Sequence, residues 1–436
     1  MRPNFLFILA DDLGYADLGC YGGRTKCSPS LDRLAREGLR FTQGYANSSV
    51  CSPTRFALMT GRWQHRLRGG ADEPIRSGPA RGDPRLGLPP AHPTLPSLLR
   101  DAGYATALVG KWHLGFPPHF GPLKSGYEEF FGMLSGGMDY HTHRDTAGIH
   151  DLWEGEKEAH CKGYLTDLIS DRAVEFIGKA GEKPFLLSVH YNAPHWPWVT
   201  RSDAAESKRI AQVPGKIFHF DGGSLATYLT MIRQMDEGIG RILAALKKSG
   251  LEKNTVVVFT SDNGGERFSD TWPLVGKKMD LLEGGIRVPY IARWPAVVKA
   301  GGVTAQQAIT MDWVATILAI AKVSPDRNYP LDGRSLLNVL RDPGKTFKRD
   351  LYWKMLYRNQ KALRAGDWKY LSVEGEEFLF NLAKDERERA NYARREPKIL
   401  AFLKEKYLAW EAQLPTHPDA TYSVPATRAD LATPSS

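Results

Sequence analysis

The sequence predicts an α/β fold, an open parallel sheet covered by helices, and three observations carry that expectation. Four short apolar runs have the length of strands buried on both faces, each delivers polar residues at its carboxyl end, and segments of helical periodicity accompany them. Asn4 to Ala10 is nearly uninterrupted and ends in Asp11-Asp12. Pro29 to Gly38 reads as a capped helix closed by glycine. Tyr104 to Val109 runs into Gly110-Lys111-Trp112-His113, and Phe185 to Val189 into His190-Tyr191-Asn192-Ala193-Pro194-His195. Thr255 to Thr260, rich in β-branched residues, ends in Ser261-Asp262-Asn263-Gly264. Tyr164 to Ile177 and Tyr228 to Leu246 have the periodicity of helices lying over such a sheet. Ligands bind at the carboxyl edge of an open parallel sheet, so these polar strand ends mark the expected site.

Two of the strand ends carry Asp11, Asp12, Asp262 and Asn263, three carboxylates and one amide. An all-oxygen set suits a hard divalent cation, Ca²⁺ or Mg²⁺, better than zinc, and the sequence has no His/Cys cluster with zinc spacing. A lone Asp-Asp is commonly a solvated turn or a helix cap; two acidic pairs at two strand ends favour a metal. A third segment, Cys51-Ser52-Pro53-Thr54-Arg55, precedes the apolar stretch Phe56 to Gly61. Pro53 suits the first turn of a helix, where free N–H groups favour an anion, and Arg55 adds a permanent charge there. Taken alone, a five-residue pattern can arise by chance around an ordinary buried thiol.

In this context the segment resembles the Cys-x-Pro-x-Arg maturation signature of the formylglycine-dependent sulfatases. The resemblance covers Asn4 to about residue 410 and implies an alkaline phosphatase-like α/β fold, a large mixed sheet flanked by helices with a small C-terminal α+β subdomain. It implies that Cys51 is converted to Cα-formylglycine by a formylglycine-generating or an anaerobic sulfatase-maturating enzyme. Asn4 to Gly14 and Ser261 to Gly264 are similar to the family's metal-binding segments, so residue 51 would join Asp11, Asp12, Asp262 and Asn263 around calcium, with magnesium or manganese as alternatives. Gly110 to Gly115 resembles the second signature; by it Lys111 would contact the sulfate and His113 would take a proton from the hydrate after transfer, releasing sulfate without attack of water on sulfur. Arg55 would hold the hydrate, while His195 in Ala193-Pro194-His195-Trp196-Pro197 and Lys278 would face the bridging oxygen. Lys278 lies five residues before Glu283-Gly284-Gly285, whereas the rival Lys277 is one position out of register. Each of these residues taken singly reads as surface charge or a hydrogen-bonded histidine. Together they place two lysines, an arginine and two histidines around three carboxylates, which has an obvious catalytic purpose.

The expected division is a catalytic part over residues 1–344 and a C-terminal subdomain over 345–436, a four-stranded antiparallel sheet and a helix. Leu351 to Leu356, Ala362 to Leu371 and Glu377 to Leu382 read as its strands, Pro397 to Leu414 as its helix, and the tail beyond as loose on the surface or along an interface. Gly69 to Pro96, dense in Gly, Pro and Arg, is expected as a long loop near the site mouth. Asp139, His141 and His143 are candidates for a sugar hydroxyl, and Trp196, Trp198, Trp272 and Trp353 for stacking on a sugar or aryl ring, against ordinary packing for each.

A chain of 436 residues, 42% hydrophobic and 11% aromatic, can bury a large core. Its formal charge of +9 suits an anionic substrate, but the cations are spread without a basic block, which gives no support to nucleic-acid binding. No apolar run approaches the about 20 residues of a membrane span. Cys20, Cys27, Cys51 and Cys161 form no Cys-x-x-Cys pair or disulfide framework. The expected location is cytoplasmic, or periplasmic or secreted with a leader upstream of this chain; oligomeric state stays open. A sulfated carbohydrate and an aryl sulfate fit equally well. The alternatives are a phosphonate monoester or phosphodiester hydrolase of the same superfamily, a non-catalytic calcium-dependent binder of sulfated glycans, and a Cys/His hydrolase.

Overall fold

The computed structural model describes residues 2–212 and 215–424. Its strands in chain order are β1 (Asn4–Ala10), β2 (Leu39–Phe41), β3 (Gly44–Tyr45), β4 (Ala105–Lys111), β5 (Glu129–Met133), β6 (Leu152–Glu154), β7 (Lys157–Glu158), β8 (Phe185–His190), β9 (Thr255–Ser261), β10 (Tyr290–Arg293), β11 (Gly302–Thr304) and β12 (Ala308–Ile309). Ten of them form one sheet in the order β11-β2-β10-β9-β1-β8-β4-β5-β6-β7. The four runs expected from the sequence, β9, β1, β8 and β4, are parallel neighbours at its centre. β10 is antiparallel to β9 and β6 to β5, so the sheet is mixed.

All seven residues of β1 are buried, and the strand's period of two sends Leu6, Ile8 and Ala10 into one apolar cluster and Phe5, Phe7 and Leu9 into the other. Helices Leu165–Lys179 and Leu225–Lys248 pack together over the first face; Leu95–Asp101 and Asp312–Ala321 cover the second. Fully burying each large apolar side chain is worth about 1.5–3 kcal/mol, which makes the sheet centre a rigid base for the strand ends. Gly110, at φ 115°, has no room for a side chain, because a Cβ there would lie 1.9 Å from the His190 carbonyl oxygen.

Beyond the large sheet, β13 (Asp350–Met355), β14 (Gln360–Ala365), β15 (Trp368–Val373) and β16 (Glu376–Asn381) form an antiparallel meander, with helix Pro397–Glu411 against it. The single strand expected over Ala362 to Leu371 is two strands, β14 and β15, because Gly366 turns the chain in the left-handed region and pairs Ala365 with Trp368. This sheet shares an apolar cluster with the site segments, in which Tyr45, Val50, Cys51 and Leu281 meet Trp353, Leu371 and Trp410. Of the two expectations for the tail, loose or along an interface, the described part follows the second: Glu73 N–H donates to Thr421 O (2.9 Å), Ser423 N–H to Glu73 O (2.9 Å), and Arg68 pairs with Asp419. Residues 425–436 of that tail lie outside the described residues. Among the described residues no helix is long and apolar enough to cross a membrane.

Candidate active site

β1 and β9 run in register from Asn4 opposite Thr255 to Ala10 opposite Ser261, so the next residues, Asp11-Asp12 and Asp262-Asn263, meet at one edge. One carboxylate oxygen from each of Asp11, Asp12 and Asp262 lies within 4.8 Å of the others, all buried. Asp12, at φ 61°, accepts from Asn263 Nδ2 (2.7 Å), and its own N–H donates to Asp262 Oδ1 (3.3 Å). Asp11 Oδ1 and Asn263 Oδ1 are buried acceptors without a hydrogen-bond partner. Burial, then the charge of Asp262, pushes Asp11 well above the ordinary carboxylate range. Burial works on Asp262 in the same direction, but Arg55 and Lys111 outweigh it and hold that carboxyl below its usual value. The idle carboxylate oxygen of Asp11 and the idle amide oxygen of Asn263, beside the carboxylates of Asp12 and Asp262, fit a hard cation, which would satisfy both oxygens.

Cys51 is the first residue of helix Cys51–Thr60, which follows an extended Val50 and ends at a left-handed Gly61. Its thiol lies within 4.8 Å of a ligating atom of Asp11 and of His195. Burial pushes the thiol up to about 11, although Lys111 and Lys278 oppose it. One turn along, Arg55 donates through Nε (3.0 Å) and Nη2 (2.8 Å) to Asp262 Oδ2 and through Nη1 to Lys111 O (3.0 Å). Its fork is therefore engaged with the acidic cluster and with the strand end that carries Lys111.

Lys111 Nζ meets Asp11 Oδ2 at 2.5 Å, and Lys278 Nζ meets Asp12 Oδ2 at 2.7 Å. Lys277 is exposed, and its backbone N–H donates to Asp280 Oδ2 (3.1 Å). His113 Nε2 lies 2.8 Å from Ile75 O and can only donate there, which leaves the buried Nδ1 unprotonated and without a partner. In the same way His195 Nδ1 donates to Trp196 O (2.8 Å), and Nε2 stands 3.6 Å from Asp12 Oδ2. Burial holds both imidazoles well below the usual histidine range, helped by Lys111 at His113 and by Lys278 at His195.

The structure thus gathers Asp11, Asp12, Cys51, Arg55, Lys111, His113, His195, Asp262, Asn263 and Lys278 into one cluster, buried but for the partly exposed Lys278. The polar sugar-contact candidates make hydrogen bonds within the protein, although Asp139 Oδ2 is buried without a partner. Asp139 Oδ1 accepts from His141 N–H, Thr142 N–H and Thr142 Oγ1, while His141 Nε2 and His143 Nε2 bond to Thr200 O and Gly163 O. Trp198 and Trp353 are core residues; Trp196 packs on the His195 ring with centroids 4.0 Å apart, and Trp272 is exposed. Three participants were not read from the sequence. Ile75 lends its carbonyl to His113, His190 donates to Lys111 O (3.2 Å), and Gln360 reaches the Lys278 loop from β14. Of these only His190, polar at a strand end, carried a local signal.

A family model described as Sulfatase matches residues 3–323. N-acetylgalactosamine-6-sulfatase from Homo sapiens is 34% identical over 386 residues, covering 83% of this chain and 70% of that protein. N-acetylgalactosamine-6-O-sulfatase from Bacteroides thetaiotaomicron is 29% identical over 496 residues, covering 93% and 92%. The crystal structure of Ps i-CgsB in complex with k-i-k-neocarrahexaose aligns with a TM-score of 0.83 at 30% identity, over 97% of this chain and 95% of that one. The chain spans 66–70% of the length of the mammalian N-acetylgalactosamine-6-sulfatases. With that model matched across all the strand ends that build the cluster, the chain belongs to the sulfatase family.

Proposed function

We propose that the chain hydrolyses a sulfate monoester on a carbohydrate, with Cys51 matured to formylglycine and calcium held by Asp11, Asp12, residue 51, Asp262 and Asn263. The observation that carries this reading is the meeting of three buried carboxylates and two lysines beside Cys51. The carbohydrate is supported by the relatives named as N-acetylgalactosamine-6-sulfatases and by the aligned structure that holds a neocarrahexaose. Once present, the cation lends Lewis acidity and the formylglycine hydrate lends an oxygen nucleophile with a second hydroxyl.

The chain's own residues supply the rest. Arg55 keeps Asp262 ionised and anchors the Lys111 strand end. Lys111 and Lys278 place positive charge where the sulfate and its bridging oxygen gather negative charge as the S–O bond breaks. Burial works against the charge on Lys278, but Asp12, 2.7 Å away, outweighs it and raises the lysine's pKa well above the usual value, so it arrives charged. His195 has its N–H committed to Trp196 O, so Lys278 is the group that carries a proton toward the leaving oxygen. His113 presents Nδ1 as the proton acceptor on the other side. An unmodified thiol pushed up to about 11 is a poor nucleophile, which disfavours a Cys/His hydrolase.

The test joins mass spectrometry of the Cys51 peptide, from protein expressed with a maturating enzyme, to a panel of sulfated sugars, aryl sulfates and phosphonates assayed with calcium and after chelation. We expect an aldehyde at residue 51 and calcium-dependent sulfate release from a sulfated sugar. Full activity with unmodified Cys51 refutes the mechanism, preferential phosphonate hydrolysis moves the chain to that class, and glycan binding without turnover makes it a binding protein.

A further inference from the structure

The loop that carries Lys278 has three backbone tethers. Lys278 N–H donates to Gly265 O (2.9 Å), in the segment that follows the β9 strand end. Met279 N–H donates to Ser49 O (3.1 Å), two residues before Cys51. The third tether comes from a part of the chain without any of the site residues above: Gln360, buried on β14, donates through Nε2 to Met279 O (2.8 Å) and accepts at Oε1 from Leu281 N–H (2.9 Å). A second Nε2 bond, to Tyr357 O (3.0 Å), fixes the amide from its own side. Met279 sits at φ 77°, a left-handed conformation that a methionine keeps only when its neighbours enforce it. A side-chain amide that grips the carbonyl of 279 and the N–H of 281 enforces the direction in which residue 278 leaves the loop.

We propose that Gln360 is a positioning residue for Lys278: by clamping Met279 O and Leu281 N–H it aims the ammonium at Asp12 and the bridging oxygen of the ester. The inference rests on the sulfate-ester reading given above. Loss of the clamp lets the loop drift without removing any group from the site. Its signature is therefore Lys278's own signature in weaker form. A poor leaving group needs the ammonium in place, whereas a nitrophenolate leaves almost unaided.

The test is the dependence of kcat on leaving-group pKa, measured with a sugar sulfate and a series of aryl sulfates for the parent, Gln360→Met, Lys278→Ala and the double variant. Gln360→Met keeps the length and apolar fit and loses every hydrogen bond. We expect kcat on the sugar sulfate to fall on the order of tenfold to a hundredfold, with KM within about threefold of the parent. The leaving-group slope should steepen in Gln360→Met and in Lys278→Ala, with no further steepening in the double variant. Should Gln360→Met fail to fold, Gln360→Glu keeps the acceptor for Leu281 N–H, loses the donor to Met279 O, and must steepen the slope in its place. A uniform loss across all leaving groups, or steepening that adds to that of Lys278→Ala, overturns the inference. If Lys278→Ala steepens the slope and the Gln360 variants do not, the positioning role alone falls; if Lys278→Ala leaves the slope flat, the lysine's own role falls with it.

Discussion

The carboxylates of the site, like Lys111, stand at strand ends while Lys278 hangs from a loop, and the two are held by different means. Asp11, Asp12, Asp262 and Asn263 follow directly from β1 and β9, whose register brings their backbones to one edge of the sheet. Lys278 instead follows a left-handed Gly276 and precedes a left-handed Met279, and it is aimed by tethers from Gly265, Ser49 and Gln360. The first arrangement inherits the rigidity of a sheet buried on both faces. The second must be built from contacts made across the whole chain. Damage to the strand-end side should therefore abolish turnover on every substrate, and damage to the loop side should sort substrates by leaving group.

The largest expected effects lie on the carboxylate side, where the helix start brings Cys51 beside Asp11. Cys51→Ala should fold, since a buried thiol is replaced by a smaller apolar group, and should lose activity by about a factor of 10⁴ or more on sugar and aryl sulfates alike. Cys51→Ser keeps one hydroxyl but lacks the second one that resets the nucleophile, so it should be nearly inactive or should trap a sulfated protein visible by mass. Steady turnover by Cys51→Ala close to the parent's would remove residue 51 from the chemistry and dissolve the comparison at its base.

Smaller and more selective losses belong to the loop side. Lys278→Ala should cost a larger factor on a sugar sulfate than on an activated aryl sulfate. Lys277→Ala should be mild on both, because Lys277 is exposed. Kinetics on the two substrate types decide it: a severe, selective Lys277→Ala beside a mild Lys278→Ala would show that the loop presents the other lysine when substrate is bound.

How much was legible in the sequence follows the same division. β1, β4, β8 and β9 were readable because each is a run of six or seven residues with almost no polar interruption, and the acidic cluster was readable because it follows those runs directly. β2 and β10, of three and four residues, are too short for any period to stand out, yet they extend the sheet past β9. The break between β14 and β15 was missed although Gly366-Asp367 is a turn signal, because apolar residues continue on both sides of it. Ile75 was beyond reach, since it acts through a carbonyl that every residue has. Gln360 was beyond reach because a glutamine amide carries no local sign of the loop it will meet 81 positions away. Asp139 and His143 show that polar residue types that look suited to binding also make internal hydrogen bonds, Asp139 Oδ1 within its own loop and His143 to Gly163 O.

The smallest expected effect lies where the segment after helix Cys51–Thr60 meets the C-terminal helix. His65 packs edge-on against Trp410, with centroids 6.4 Å apart, and its buried Nδ1 has no partner. Burial, then the nearby Lys354, pushes its pKa down to about 3. In the unfolded chain the same imidazole titrates near its ordinary value of about 6.5. Between those limits the unfolded state binds the extra proton, so His65 contributes stability above about pH 6.5 that is lost as pH falls through that window toward 3. His65→Gln should therefore lose less stability than the parent between pH 7 and pH 5, measured by urea unfolding, whatever its offset at pH 7. The same variant should leave the leaving-group slope unchanged, because His65 touches neither the Lys278 loop nor its tethers in the way Gln360 does. Parallel stability profiles would mean that His65 takes up its proton without unfolding, and a steepened slope would mean that this seam, like β14, helps to aim the lysine.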